Sequence, residues 1–249
     1  DTQLAEARVQ SIVHEAVAEA FADHAAAQGT GHVLLWILAR EQVTELVGAA
    51  ISSDQAEYLT SGFRPLAFEA SADGIVPLQT ATSSVSLKVH GTLDRIDYRA
   101  DPPALRVVDY KFKQGNELSS VDRNLALSAV RGLRLQPPLY ARMVLPSLPA
   151  VADVQLLFLA PEWDQLISRS TFDAGLWSGH TGDMIRETLR TLIRGITQRE
   201  FFILPDGYCD YCEYSGACRR DDTNAWGRSY RSSQANALRK LRKQKINDE

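Results

Sequence analysis

The chain has 249 residues, 45% of them hydrophobic, and a formal net charge of -4. That is enough to bury a substantial core, as one large domain or one domain plus an appendage. The acid excess excludes bulk attraction to nucleic acid, so any such contact has to come from local basic patches. No apolar run reaches membrane-span length and the N-terminus lacks the plan of a signal peptide, so the cytoplasm is the expected compartment and no membrane partner is expected. Asp1 stands where a methionine would open a chain, which points to processing or to a piece of something longer.

From Leu4 to Ala26 the pattern predicts a helix, with Val9, Val13, Val17 and Phe21 recurring every four residues. His14 lies three and seven residues from Val17 and Phe21 and is expected to point inward. A lone histidine there is also compatible with an ordinary hydrogen-bonded core residue. A second helix is predicted over His32 to Ala50, with a shorter one opening at Ser53. Phe63 to Ala70 then turns to strand character and carries Glu69.

The stretch VSLKVHGTLDRIDYRADPPALRVVDYKFK, Val85 to Lys113, predicts a β-hairpin. Its first arm alternates with period two, its second is rich in β-branched and aromatic residues, and Asp101-Pro102-Pro103 breaks the ladder between them. Folding symmetrically about the Asp101-Pro102 bond sets Asp94 opposite Asp109, with Cβ atoms roughly 4.5 to 5.5 Å apart. Like charges that close destabilise unless a cation bridges them. Lys111 follows two residues after Asp109 on the same face. Two carboxylates and an amine converging on one spot suit phosphodiester hydrolysis around a hard divalent cation. Asp-x-Lys alone is also a common surface ion pair.

Asp122 to Arg134 is expected as helix or loop. Pro137 and Pro138 place the start of the next helix at Gln136, running to about Val144 and setting Gln136 and Tyr140 on one face. Val151 to Leu159 and Gln165 to Phe172 read as strands, and Asp183 to Ile196 as an amphipathic helix. Cys209, Cys212 and Cys218 have the spacing C-x2-C-x5-C. Three cysteines so close do not make a disulfide framework, and they can converge on a metal or cluster. An iron-sulfur site, a zinc site completed by a histidine, and no metal are the three readings. From Arg228 to Lys245 there are seven basic residues and no acidic one, a segment for phosphate backbone or a partner, or a solvated tail.

GTLDRIDY followed by VVDYKF resembles the PD-(D/E)xK nuclease superfamily, and more narrowly its RecB-like branch with the AddB type of helicase-nuclease subunit. Four further pieces are similar and in order: His14 in VQSIVHEAVAEAF, Glu69 in RPLAFEA, the QPPLY segment, and the cysteine cluster. The resemblance implies an α/β fold, a restriction-endonuclease-like core whose central mixed sheet is flanked by helices, with a C-terminal cysteine-cluster appendage. Residues 1–62 would form a helical part carrying His14, 63–200 the nuclease core, 201–222 the cysteine cluster and 223–249 a basic tail.

It implies a Mg2+- or Mn2+-dependent exonuclease on single-stranded or unwound DNA, acting with a helicase in double-strand-break repair. Asp94, Asp109, the Tyr110 carbonyl and His14 would hold the metal, and Lys111 would assist the water. Gln136 and Tyr140 would contact the DNA backbone or order the catalytic groups. The three cysteines would hold a [4Fe-4S] cluster whose fourth ligand is absent from this chain and is expected in a segment ahead of Asp1. A noncatalytic module that grips DNA or a partner is the alternative, as is a stand-alone exonuclease related to the CRISPR-adaptation nucleases.

Overall fold

The computed structural model describes residues 2–79, 84–113, 118–144, 148–161, 165–200, 209, 212–218, 222–233 and 235–246. Its elements run α1 (Thr2–Gln28), α2 (Val33–Ser61), β1 (Arg64–Gln79), β2 (Ser84–Ala100), β3 (Pro103–Phe112), α3 (Ser120–Arg123), α4 (Leu125–Val130), α5 (Gln136–Tyr140), β4 (Met143–Val144), β5 (Val151–Leu159), β6 (Ile167–Asp173), a 3-10 turn (Ala174–Ser178), α6 (His180–Thr197), α7 (Thr223–Arg231) and α8 (Asn236–Arg242). The chain divides into two compact units. The first comprises Asp1–Ala72, Gly91–Ser119 and Val144–Thr171; the second comprises Asp73–His90, Ser120–Met143 and Phe172–Glu249.

The first unit is a mixed sheet with strands in the order β1-β2-β3-β5-β6. β2 and β3 pair antiparallel, as a hairpin must, whereas β3 and β5 pair parallel. β3 is buried continuously from Ala104 to Asp109, and β5 from Val154 to Phe158. Strands enclosed on both faces lose the polar–apolar alternation of a half-exposed strand, which is why β5 reads as a nearly apolar run, while β3 buries Arg106 and Asp109 among its apolar residues. Val108, Leu157 and Ile167 form a buried cluster against which Ala49 and Ala50 of α2 pack. Two small residues bring the helix close to the sheet.

The second predicted helix differs in extent. Ser53 does not open a separate helix, because α2 is continuous from Val33 to Ser61. Ser52 bonds its own helix, Oγ to the Gly48 carbonyl at 3.0 Å, and the Asp54 side chain is turned to arginines on the sheet. Neither residue is left to cap a new helix. α2 stops instead at Gly62, whose φ of 71° and N–H to the Tyr58 carbonyl form a left-handed cap.

In the second unit α5 ends at Tyr140 rather than near Val144. β4 lies against β1 so closely that a Cβ on Gly74 would stand 2.6 Å from the Arg142 carbonyl oxygen, an approach open only to glycine. That pairing takes Met143 away from the helix. α6 buries Ile185, Thr188 and Leu189, and Thr188 Oγ1 donates to the Val130 carbonyl. Trp177 is buried and satisfies its indole N–H on the Pro138 carbonyl at 3.0 Å.

Candidate active site

The register of β2 on β3 runs from Ala100↔Pro103 to Arg95↔Val108. This is the symmetry expected about the Asp101-Pro102 bond, and continuing it by one position sets Asp94 opposite Asp109. There the Asp94 carboxylate enters the strand interface: Tyr110 N–H donates to Asp94 Oδ2 at 3.0 Å. Asp109 is 1% exposed. A carboxylate so far from water is costly unless a cation answers it, and Lys111 Nζ stands 2.5 Å from Asp109 Oδ2. Period two places Val107, Asp109 and Lys111 on one face of β3 and Arg106, Val108 and Tyr110 on the other.

That other face carries an ionic network that sequence reasoning missed. Arg95 donates to Asp54 of α2 through both terminal nitrogens, to Asp97 Oδ2 at 2.9 Å and to the Tyr110 hydroxyl at 2.9 Å. Arg169 of β6 donates to Asp54 Oδ1 at 2.7 Å and to Gln155 of β5 at 3.1 Å. Alongside, Arg106 is bidentate to Asp153 and reaches Glu57 Oε1 at 2.7 Å. Burial works against the charge of Asp54, but Arg95 and Arg169 outweigh it and hold the carboxyl below the ordinary 3.8. At Asp97 burial outweighs Arg95 and lifts the carboxyl above 3.8. Burial likewise raises the Tyr110 phenol. The available signal was Arg95 and Asp97, opposite charges two apart on one strand face.

His14 departs from expectation. Val13 and Val17, four apart, take the buried stripe of α1, and His14, one residue on from Val13, is turned about 100° away and exposed. Its Nδ1 lies 3.0 Å from the Gln10 carbonyl, and the ring lines a cleft of about 1240 Å³ between α1 and α2 with Arg40, Glu41 and Glu45. Glu69 is exposed on β1. In the second unit Gln136 Nε2 donates to the Tyr140 hydroxyl at 2.8 Å, and Asp122, 0% exposed, is paired with Arg134. Cys209, Cys212 and Cys218 are partly buried and not disulfide-bonded, joined by turns through Cys212 N–H to the Cys209 carbonyl (3.3 Å) and Cys218 N–H to the Tyr214 carbonyl (2.8 Å). Among the described residues no three His, Cys, Asp or Glu side chains are gathered closely enough to hold a metal ion.

The family model of the PD-(D/E)XK nuclease superfamily matches residues 1–219. The chain belongs to the PD-(D/E)XK nuclease superfamily. No curated protein matches the sequence. The mixed sheet flanked by helices is the restriction-endonuclease-like α/β fold of a PD-(D/E)XK nuclease, and the family makes the chain a nuclease acting on DNA. Asp109-Tyr110-Lys111 reads as the D-X-K element, while Leu93-Asp94 stands where the family name has Pro-Asp. PD-(D/E)XK nucleases generally use divalent metals. The buried carboxylate of Asp109, with the Asp94 carboxylate on the main-chain N–H of the next residue, Tyr110, offers the hard oxygen donors such ions take. Among the described residues no helix is long and apolar enough to cross a membrane.

Proposed function

We propose that this PD-(D/E)XK protein is a Mg2+- or Mn2+-dependent deoxyribonuclease that degrades single-stranded DNA as an exonuclease, in a helicase-nuclease that processes double-strand breaks. One observation carries the catalytic part: the buried Asp109 carboxylate with Lys111 Nζ at 2.5 Å and the Asp94 carboxylate on the Tyr110 N–H between them at 3.0 Å. The strand preference and the helicase context rest on the likeness of the GTLDRIDY and VVDYKF segments, in order with QPPLY and the cysteines, to the RecB-like branch.

Asp94, Asp109 and the Tyr110 carbonyl would hold the cation, with water at its other positions. When bound, the ion lowers the pKa of its water and offsets phosphate charge. Lys111 orients the attacking water and stabilises charge building on the phosphoryl oxygens. The hydrogen bond from Tyr110 N–H holds one Asp94 oxygen and leaves the other available as a donor atom. Gln136 and Tyr140, bonded to each other, are proposed to contact the DNA backbone. The three cysteines are proposed to hold a [4Fe-4S] cluster with a fourth ligand from outside this chain.

The test is digestion of end-labelled single strands with Mn2+, alongside binding measured in EDTA. Asp109→Ala should abolish cleavage and Lys111→Ala should slow it by about a hundredfold to a thousandfold, with DNA binding kept in both. Wild-type cutting by both variants would end the assignment. Binding without any cutting by the unaltered chain would favour the noncatalytic grip instead.

A further inference from the structure

The C-terminal helices α7 and α8 carry more than charge. α7 opens at Asp222, whose Oδ1 accepts from Asn224 N–H at 2.9 Å and Ala225 N–H at 3.1 Å. α8 is fastened within the second unit by buried Ala235 and Leu241 and by Arg131 Nε donating to the Gln244 carbonyl at 2.9 Å. Trp226 and Tyr230, one helical turn apart on α7, stack with ring centroids 5.1 Å apart and planes at 22°. The Arg239 guanidinium lies 5.1 Å from the Tyr230 ring centroid, held there by its bond to the Ser232 carbonyl. The result is a stack of indole, phenol and guanidinium. Two aromatic rings in such a stack would normally be buried, yet Trp226 is 38% exposed and Tyr230 43%.

Along the chain from Arg228 to Lys245 the charge is of one sign. Arg228, Arg231, Lys240, Lys243 and Lys245 are exposed, and no acidic residue occurs between Arg228 and Lys245. Asp222, the nearest acid in the described segment, is turned into the N–H groups that open α7. A cationic surface in a chain of net charge -4 is a local departure from the whole. Exposed π faces amid lysines and arginines match the two parts of an unpaired nucleic-acid strand, flat bases and regularly spaced phosphates. A duplex offers only the second, because its bases are already stacked on one another.

We infer that α7 and α8 form a binding site for single-stranded DNA, in which a base extends the stack on Trp226 and neighbouring phosphates lie on the exposed basic side chains of the two helices. The choice of DNA as the strand rests on the nuclease assignment. The site is built from residues of the second unit alone and is read without any cleavage.

The test uses the full chain in EDTA, where cutting is suppressed, with an oligothymidine and with an abasic oligonucleotide of equal length. Oligothymidine should quench tryptophan fluorescence and bind about tenfold more weakly to Trp226→Ala, the loss of one base–aromatic stack. Trp226→Phe should keep most of the affinity and Trp226→Leu should not, which separates a π face from mere apolar packing. The abasic strand should bind the wild type and Trp226→Ala alike. Lys240→Glu with Lys243→Glu should weaken both strands and flatten the salt dependence. Equal oligothymidine affinity of wild type and Trp226→Ala, or failure of the wild type to bind at all, would overturn the site and leave this face to a protein. Cleavage by Asp109 and Lys111 variants is scored separately, so either reading can fail alone.

Discussion

The main-chain N–H of Tyr110 donates to Oδ2 of Asp94 at 3.0 Å, while the Tyr110 hydroxyl on the opposite face of β3 accepts from Arg95, the residue after Asp94. One tyrosine thus ties the strand on both sides at the residue between Asp109 and Lys111. Tyr110→Phe keeps the first bond and removes the second, at a cost of about 1 kcal/mol in stability. We expect weaker Mn2+ binding along with it, by a few fold, because the strand that presents the aspartates is held less firmly. Paramagnetic titration of Mn2+ measures this directly, and an unchanged affinity would restrict the hydroxyl to a structural role.

Arg95 is the hub of the network, with Asp54, Asp97 and Tyr110 all bonded to it. Arg95→Leu fills similar volume but leaves the buried Asp97 without its cation and Asp54 with Arg169 alone. Removing one member of a buried ion pair costs about 3–5 kcal/mol, so this variant should unfold at markedly lower urea concentration. An accompanying Asp97→Asn change should recover part of the loss, and a pair of additive effects would mean that the two residues do not act together.

The two aspartates of the network respond to acid in opposite senses. Asp97 titrates above 3.8 in the folded protein, so folding takes up its proton more readily than the unfolded chain does. Its contribution to stability rises as pH falls from neutrality through the folded value toward 3.8. Asp54 titrates below 3.8, so its contribution is complete above 3.8 and is lost as pH falls through its lower folded value. The stability difference between wild type and Asp97→Asn should therefore shift in favour of the wild type between pH 7 and 4. That between wild type and Asp54→Asn should hold steady there and shrink only in stronger acid. Urea midpoints at each pH are the measurement, and parallel curves for both variants would refute the assignment.

For the cysteine segment the expected outcome is chemical. Protein prepared without oxygen should be brown and contain iron with acid-labile sulfide, and Cys212→Ser should lose both. Soft thiolates on one short segment suit such a cluster, and closing the chain there would stabilise the folded state. Colourless protein free of iron would remove the cluster from the account.

Much of the candidate site's strand geometry was legible because its determinants are local. The hairpin register follows from period-two patterning around a proline-containing turn, and Arg95↔Val108 falls where that symmetry puts it. β5 has the predicted bounds, since an apolar run set between prolines and charged residues leaves little choice. Ser53 misled for an equally local reason: serine followed by aspartate resembles a helix start, yet Asp54 is answered by Arg95, 41 positions along the chain. His14 lies on a helix whose apolar repeat admits two neighbouring faces, and packing gave the buried one to Val13 and Val17.

Alternation, turn composition and residue spacing act over a few neighbours, so they suffice to name Asp94, Asp109 and Lys111 and to set them on one strand pair. Which buried charge is neutralised by which arginine, and which helix face is covered, depends on atoms that meet only after α2, β2, β3 and β6 have come together. Asp54, Arg95 and Arg169 are widely separated along the chain, and their bonds exist because folding excludes the water that would otherwise solvate each of them.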